Sequence, residues 1–350
     1  MTTHEPYAFV PHPKHTTPQR KAPLGHDTLQ GASGELWCEL EALSPLLVMG
    51  SEHRAGSNRH EVGRFDETTD FRAIIPGTSL KGMVRSVFEV LVPSCVALQG
   101  RNTGHLVPRS FYNCSKRDQL CPACRAFGAL TNPPHKGCIH IGQAEAVDAV
   151  NAMPDVQLVP LFGPNPKFRD GVNPMYGTDA KSGGRKFYFH QAQLVTAEDE
   201  NDREYGPYVA PFPGRGDNGE QGATFSFKVT YENLEPAALK GLVASLVLAD
   251  AAPLGGRTVK VRHKLGYGKP VGLGSAEIRI TRAVQYSGAR YESFSGGKEV
   301  LEGEALDQWL VSCREAIFSS PSPPVQRLIE IAQYPPIEDV EFAYGEGLSL

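Results

Sequence analysis

Lys81 and Arg85 stand one helical turn apart in the run Ile74-Ile75-Pro76-Gly77-Thr78-Ser79-Leu80-Lys81-Gly82-Met83-Val84-Arg85. An apolar, strand-like stretch stops at Pro-Gly, and a helix begins on hydroxyl residues. The first turn of a helix leaves N–H groups unpaired and carries partial positive charge, so phosphate docks there readily. Gly77 allows close approach to the backbone, Ser79 supplies a hydroxyl, and Lys81 and Arg85 add charge. The chemistry expected is binding of a sugar-phosphate backbone. Nucleotide hydrolysis is not indicated, because the Walker spacing is absent.

A second glycine-basic run, His263 to Gly274, holds two G-x-G pairs with Lys264 and Lys269. Exposed backbone N–H groups between lysines suit phosphate. A Rossmann turn is excluded because a strand, not a helix, follows the glycines. The competing reading is a tight turn packed under a sheet. Gly183 to His190 joins Arg185 and Lys186 to Phe187, Tyr188, Phe189 and His190. In a strand, Lys186, Tyr188 and His190 share one face, and aromatics beside cations grip single-stranded bases. A half-buried core strand is the plainer alternative.

Five of seven cysteines crowd between Cys95 and Cys138. Cys121-Pro122-Ala123-Cys124 is a C-x-x-C knuckle, with Cys114 seven residues before it. Two thiolates three positions apart can share a tetrahedral ion, so structural zinc is expected on Cys114, Cys121 and Cys124. His105, Cys138 and Cys95 compete for the fourth place. For catalysis, the polar loop from Gly50 to Asp70 offers Asp66 and Asp70. Either could help activate a ribose hydroxyl or hold a divalent metal for RNA cleavage; a solvated loop is the simpler reading.

These residues need elements to position them. Gly34–Met49 begins with strand alternation, and Ser79–Leu91 repeats apolar residues at helical spacing. Thr78 or Ser79 is placed to cap that helix and Pro93 to end it. Cys138–Val150 and Ala223–Tyr231 alternate as strands. Glu235–Ala249 reads as a helix and Ala276–Ile280 as a strand. The order strand, helix, strand, strand, helix, strand is that of an α+β, ferredoxin-like fold, which RNA-recognition modules share, presenting a sheet face to RNA. The expected divisions are a flexible N-terminal arm (1–30), a main domain (31–286) and an acidic C-terminal extension (287–350). The main domain carries a cysteine-rich loop over about 100–134 and a long irregular insertion over about 156–222. One or two helices are expected in the extension, near Glu304–Phe318 and Val325–Gln333.

Bulk properties agree with a soluble chain. Net charge is −4, but it is segregated. Residues 101–190 and 251–300 are basic, whereas 191–250 and 301–350 are acidic, as for a basic groove beside acidic surfaces. No apolar run approaches a membrane span and the N-terminus lacks a signal-peptide core, so a cytoplasmic location is expected.

Four motifs in this order resemble the RAMP superfamily of CRISPR-associated proteins. They are Ile-Pro-Gly-Thr-Ser-Leu-Lys-Gly with Arg85, Cys-Pro-Ala-Cys-Arg-Ala-Phe-Gly, Gly-Arg-Lys-Phe-Tyr-Phe-His, and His-Lys-Leu-Gly-Tyr-Gly-Lys-Pro-Val-Gly-Leu-Gly. The match runs from about residue 34 to 283 and is nearest the backbone subunits of class 1, type III-like effector complexes. The resemblance implies a ferredoxin-like palm with a thumb from 156–222, and copies stacked along a CRISPR guide RNA that meets complementary target RNA. It also implies contacts with other complex subunits and a separate nuclease in some systems. Ser79, Lys81, Arg85, Arg185, Lys186, His190, Lys264 and Lys269 are the expected RNA contacts. Target-cleaving members place an aspartate before the Pro-Gly helix start, near Asp66 and Asp70 here, although the loop's length and wording differ. Three readings compete: a guide-binding scaffold, a metal-dependent endoribonuclease, and a zinc-stabilised single-strand binder acting alone.

Overall fold

The computed structural model describes residues 6–27, 30–50, 62, 64–70, 72–96, 107–148, 151–161, 184–198, 203–204, 206–216, 220–288, 297–336 and 342. In chain order, strand β1 (Tyr7–Pro11) precedes the long strand β2 (Ala32–Ala42). Short strands β3 (Asp66–Glu67) and β4 (Ala73–Ile75) lead into helix α1 (Gly77–Leu91). Helix α2 (Pro122–Phe127) is followed by the hairpin of β5 (Gly128–Ala129) and β6 (His135–Lys136), then by β7 (Ile139–Ile141) and β8 (Ala144–Ala146). The insertion contributes β9 (Val156–Gln157), β10 (Gly184–Tyr188) and β11 (Tyr208–Val209). Strand β12 (Thr224–Leu234) and helix α3 (Pro236–Leu246) come next. The remainder holds β13 (Ala252–Leu254), β14 (Arg257–Val261), β15 (His263–Lys264), β16 (Ser275–Tyr286) and β17 (Lys298–Leu301). Helices α4 (Gly303–Phe318) and α5 (Pro323–Ile331) and the short β18 (Gln333–Tyr334) follow.

The main sheet runs β15-β16-β2-β12-β8-β4-β3, with β7 also paired to β12. Its four principal pieces are antiparallel neighbours, in the order fourth, first, third, second of the strand-helix-strand series. That arrangement is α+β and agrees with a split βαβ topology. The expected single strand over Cys138–Val150 is two strands. β7 pairs with Val229–Tyr231 and β8 with Phe225–Ser226, and the Gly142 N–H bonds Lys228 O between them.

Period-two alternation builds one apolar sheet face. Leu36, Cys38 and Leu40 of β2, Phe225, Phe227 and Val229 of β12, and Ile278 and Ile280 of β16 all enter the core. Leu80, Val84 and Phe88 of α1 and Leu242, Val243 and Leu246 of α3 join the same cluster. The two helices meet where Gly241 leaves room: a Cβ there would lie 2.6 Å from Val92 and 2.9 Å from Phe88.

Helix α1 starts two residues earlier than expected. Pro76 occupies the N-cap position and no side chain caps the helix, so neither Thr78 nor Ser79 has that role. Gly77 serves packing: a Cβ would lie 2.3 Å from Ile141 O. Gly82 is the converse, a mid-helix glycine with nothing within 4 Å of its would-be Cβ. Gly77→Ala is therefore expected to lower stability by about 1–3 kcal/mol through overpacking. Gly82→Ala should raise it by about 0.5–1 kcal/mol through helix propensity. Denaturant titration of the two variants checks the opposite signs.

Part of the N-terminal arm is built into the fold. β1 pairs along its full length with β10. Val10 is buried with Val87, Val90, Leu328 and Ile329 in a second apolar cluster. Farther along, Lys21 exchanges backbone hydrogen bonds with Leu120, and its ammonium lies 3.0 Å from Glu235. The run Tyr7-Ala8-Phe9-Val10, inside an otherwise polar arm, supplies the apolar surface. The C-terminal extension is also built into the fold. Leu306, Leu310 and Cys313 of α4 enter the main core, and Leu328 and Ile329 of α5 enter the second cluster. Among the described residues, no helix is long and apolar enough to cross a membrane.

Candidate functional site

Three separated sequence motifs converge on one groove of about 510 Å³. One wall is α1, which presents Thr78, Ser79, Gly82 and Ser86. Residues 79, 82 and 86 recur at helical spacing and form a stripe of small side chains. The second wall is β10, with Lys186 and Tyr188, and the third is the loop of Lys264, Tyr267 and Lys269. Met49, Met83 and Leu248 make an apolar floor. Lys186 Nζ sits 3.7 Å from the Tyr7 ring centroid and 4.9 Å from that of Tyr188, and Lys269 Nζ lies 5.6 Å from the same Tyr188 ring. Cations and aromatic rings thus share one wall, the combination that suits a nucleotide chain.

The glycine loop is less a nest than the sequence suggests. Gly266, Gly268, Gly272 and Gly274 all have positive φ. A Cβ on Gly274 would lie 1.9 Å from Leu265 O, and one on Gly266 2.1 Å from Leu47 O. The N–H groups of Leu265, Tyr267, Val271, Leu273 and Gly274 bond backbone carbonyls within the chain. The glycines therefore fold the loop tightly against neighbouring backbone, and Lys264 and Lys269 are the cations that it brings to the groove. Lys264 Nζ donates to Leu273 O at 2.8 Å and Lys269 Nζ to Gly266 O at 2.7 Å. Among the described residues, no carboxylate pairs with either ammonium.

This enclosure has a pH consequence. Burial pushes the Lys264 ammonium down to about 7, and nearby Lys269, itself lowered by burial, adds to the effect. His190 and His263 beside them stay neutral: burial holds the first well below its ordinary value and the second at about 4. An anion in the groove favours charged Lys264, so binding takes up a proton. Affinity for RNA should therefore rise as pH falls from about 8.5 to about 7 and level off below. Lys264→Arg, charged throughout, should flatten that profile in anisotropy titrations. Folding stability moves oppositely: it rises with pH above about 7, where the unfolded chain keeps a proton that the folded chain has lost.

Four of the expected RNA contacts lie outside the groove lining. Lys81 Nζ donates to Ile139 O at 3.0 Å, on the β7 side of α1. Arg85 pairs with Glu89 at 2.9 Å and reaches Gly128 O and Cys124 Sγ at 3.2 and 3.7 Å. Arg185 pairs with Glu89 at 3.0 Å and donates to Ser94 O and Cys95 O at 2.7 and 3.0 Å. His190 is buried, with Nδ1 2.8 Å from Ser275 Oγ and Nε2 3.2 Å from Arg262 O. Of the expected set, Ser79, Lys186, Lys264 and Lys269 line the groove. Thr78, Gly82, Ser86 and Tyr267 join them without having been singled out as contacts, although the helical repeat of small residues at 79, 82 and 86 is readable in the sequence.

The cysteine knuckle closes on a fourth thiol. Ligand atoms of Cys95, Cys114, Cys121 and Cys124 all lie within 4.8 Å of one another, and the four residues are buried. Cys95 Sγ is 3.5 Å from Cys124 Sγ and 3.9 Å from Cys114 Sγ. Tetrahedral zinc with Zn–S bonds of about 2.3 Å requires sulfur separations of about 3.8 Å, so the donor set fits zinc. Backbone N–H groups of Cys121 and Cys95 point at Cys114 Sγ (3.2 Å) and Cys121 Sγ (3.4 Å), as thiolates require. Cys138 is buried but stands outside this group. His105 lies outside the described residues.

The acidic candidates do not gather. Asp66 is in β3, paired with Ile74, and its carboxylate lies against Gly50, where a Cβ would be 2.1 Å from Oδ1. Asp70 is exposed in the turn that follows. Neither joins a metal-ligand group among the described residues.

On the outer sheet face, the charges neutralise one another. Glu41 bonds Arg215 at 2.6 Å and Arg279 at 2.9 Å, and Lys228 meets Glu35 at 3.3 Å. Trp37 lies beneath Lys228 and Arg282, at 5.6 and 4.9 Å.

Comparison with known proteins gives a family. The profile of the RAMP superfamily matches residues 39–277, which span all four motifs. Among solved structures, one similar chain is described as belonging to the Csm3-Csm4 subcomplex in the type III-A CRISPR-Cas interference complex. It is 14% identical, the match covers 83% of this chain and 100% of that one, and the TM-score is 0.34. No curated protein matches the sequence.

Proposed function

This chain belongs to the RAMP superfamily, and we propose that it binds guide RNA as a backbone subunit of a CRISPR ribonucleoprotein. The observation that carries the proposal is the groove. Motifs about 80–190 residues apart in sequence meet there and bring Lys264 and Lys269 together, with no carboxylate paired to either among the described residues. Uncompensated ammonium groups over an apolar floor attract a polyanion that also carries bases. The outer sheet face has the charges and a tryptophan, but its ion pairs satisfy each other. RNA therefore lies between α1, β10 and the glycine loop, not on the sheet as in RNA-recognition modules.

In this reading, phosphates lie along Lys186, Lys264 and Lys269. The hydroxyls of Thr78, Ser79 and Ser86 contact the sugar-phosphate chain, and Gly82 allows it close to the helix. Tyr188 and Tyr267 stack against bases. The βαββαβ body is a ferredoxin-like palm, residues 156–222 contain its thumb, and Cys95, Cys114, Cys121 and Cys124 hold structural zinc. Copies of the chain repeat along the guide beside other complex subunits and present it to complementary target RNA.

Purification of the tagged chain with its natural partners tests this. RNA of defined length should co-purify, with several copies of the chain per RNA. A monodisperse, RNA-free monomer contradicts it and favours a solitary single-strand binder. The endoribonuclease alternative is tested separately. With Asp66 in a strand and Asp70 in the next turn, Asp66→Ala and Asp70→Ala are expected to leave target-RNA cleavage patterns unchanged.

A further inference from the structure

We propose that Arg185 and Glu89 couple the cysteine centre to the RNA groove, making the position of Lys186 depend on the metal-bound state of the knuckle. This rests on the RNA-groove reading for its consequence, but its geometry stands alone. Arg185 and Lys186 are neighbours on β10, so their side chains leave opposite strand faces. Lys186 lines the groove while Arg185 turns toward the knuckle. Its guanidinium donates to three acceptors: Ser94 O, Cys95 O and the Glu89 carboxylate.

Those acceptors are tied to the thiols. The Cys95 N–H bonds Cys121 Sγ, and the Ala123 N–H bonds Ser94 Oγ at 3.1 Å. Glu89, only 9% exposed, has its other oxygen on Arg85, which touches Cys124 Sγ. A divalent ion on four thiolates carries two net negative charges, and Arg85 lies against that cluster. Loss of the ion leaves four buried thiols that no longer fix the Ser94–Cys95 backbone. The carbonyl fork under Arg185 then disperses, and β10, whose strand partner is β1, loosens. Neither arginine serves RNA directly. Together they make Glu89 the junction between two sites.

The test uses the full chain loaded with zinc and follows amide hydrogen exchange of residues 184–188, with β2 and β16 as internal controls. Arg185→Gln should keep one zinc per chain while exchange in β10 rises about 10-fold and affinity for a single-stranded RNA 20-mer falls about 10-fold, the scale of outer-shell losses at metal centres. Arg185→Lys, which keeps the charge on Glu89 but not the fork, should recover part of both. Zinc removal from wild type should reproduce the β10 effect, and removal from Arg185→Gln should add nothing there. Identical β10 exchange in zinc-loaded wild type and zinc-loaded Arg185→Gln overturns the proposal, whatever zinc removal does to the rest of the chain. The exchange measurement contains no RNA. Failure of wild type to bind the 20-mer therefore counts against the RNA reading, while the coupling is judged on exchange alone.

Discussion

Cys121→Ser with Cys124→Ser is expected to leave the chain without bound zinc and with the knuckle between residues 107 and 138 unfolded. That segment has little regular structure of its own. Its helix α2 has six residues, far below the ~12 needed for independent stability, and β5 and β6 have two each. Its anchors to the rest of the chain are side chains and single backbone pairings: Phe127 packs edge-on against Phe88 with centroids 5.2 Å apart, Leu120 and Ala123 are buried, Lys21 pairs with Leu120, and Arg125 bonds Glu235 at 2.9 Å. Zinc on four thiolates contributes on the order of 10 kcal/mol of binding free energy to such a loop, and that energy is folding energy. The damage should spread, because the same segment supports Arg85 and, through Glu89, Arg185. A fall in thermal midpoint of about 10 °C or more is expected, from a loss of several kcal/mol in a chain of this size. Metal analysis together with a thermal melt reads both effects. A wild-type chain that purifies metal-free with unchanged stability contradicts the assignment.

The second large effect concerns the groove. Lys186→Ala, Lys264→Ala and Lys269→Ala combined should weaken RNA binding by about 10²–10³-fold and reduce the slope of log affinity against log salt by about 2, at ~0.7 per lost phosphate contact on a single strand. Lys81→Ala is the informative control. It was as strong a candidate in the sequence, but it does not line the groove: its ammonium bonds the Ile139 carbonyl on the β7 side of α1. Burial, with Arg85 adding to it, lowers its pKa. Its removal should leave the salt slope unchanged and lower stability instead. A slope that drops with Lys81→Ala and not with the triple variant would move the RNA to the other side of α1.

Most of the scaffold was legible because its periodicities are strong. The βαββαβ order, the helix up to Leu91 and a strand over Ala223–Tyr231, observed as Thr224–Leu234, follow from alternation and helical repeat alone. The cations were harder. Lys and Arg at a glycine turn look alike in sequence whether they meet phosphate or a neighbouring carbonyl. Arg85 and Arg185 meet Glu89, a partner for both that an apolar helix face conceals. Their neighbour Lys186 does reach the groove, because strand alternation turns adjacent residues to opposite faces. The fourth thiol was open for the same reason: Cys95, Cys138 and His105 are all near in sequence, and the end of α1 at Val92, which places Cys95, decides among them only in three dimensions. The N-terminal strand was missed because four apolar residues, Tyr7–Val10, sit in a polar arm and find their partner some 175 residues away.

Photo-cross-linking of the zinc-loaded chain to single-stranded RNA, followed by peptide mapping, tests the location of the RNA most directly. Cross-links on the peptides carrying Lys186–Tyr188 and Tyr267–Lys269, lost in the triple lysine variant, are the predicted result. Cross-links concentrated on Trp37, Lys228 and Arg282 of the outer sheet face, with the groove peptides unmodified, would contradict it.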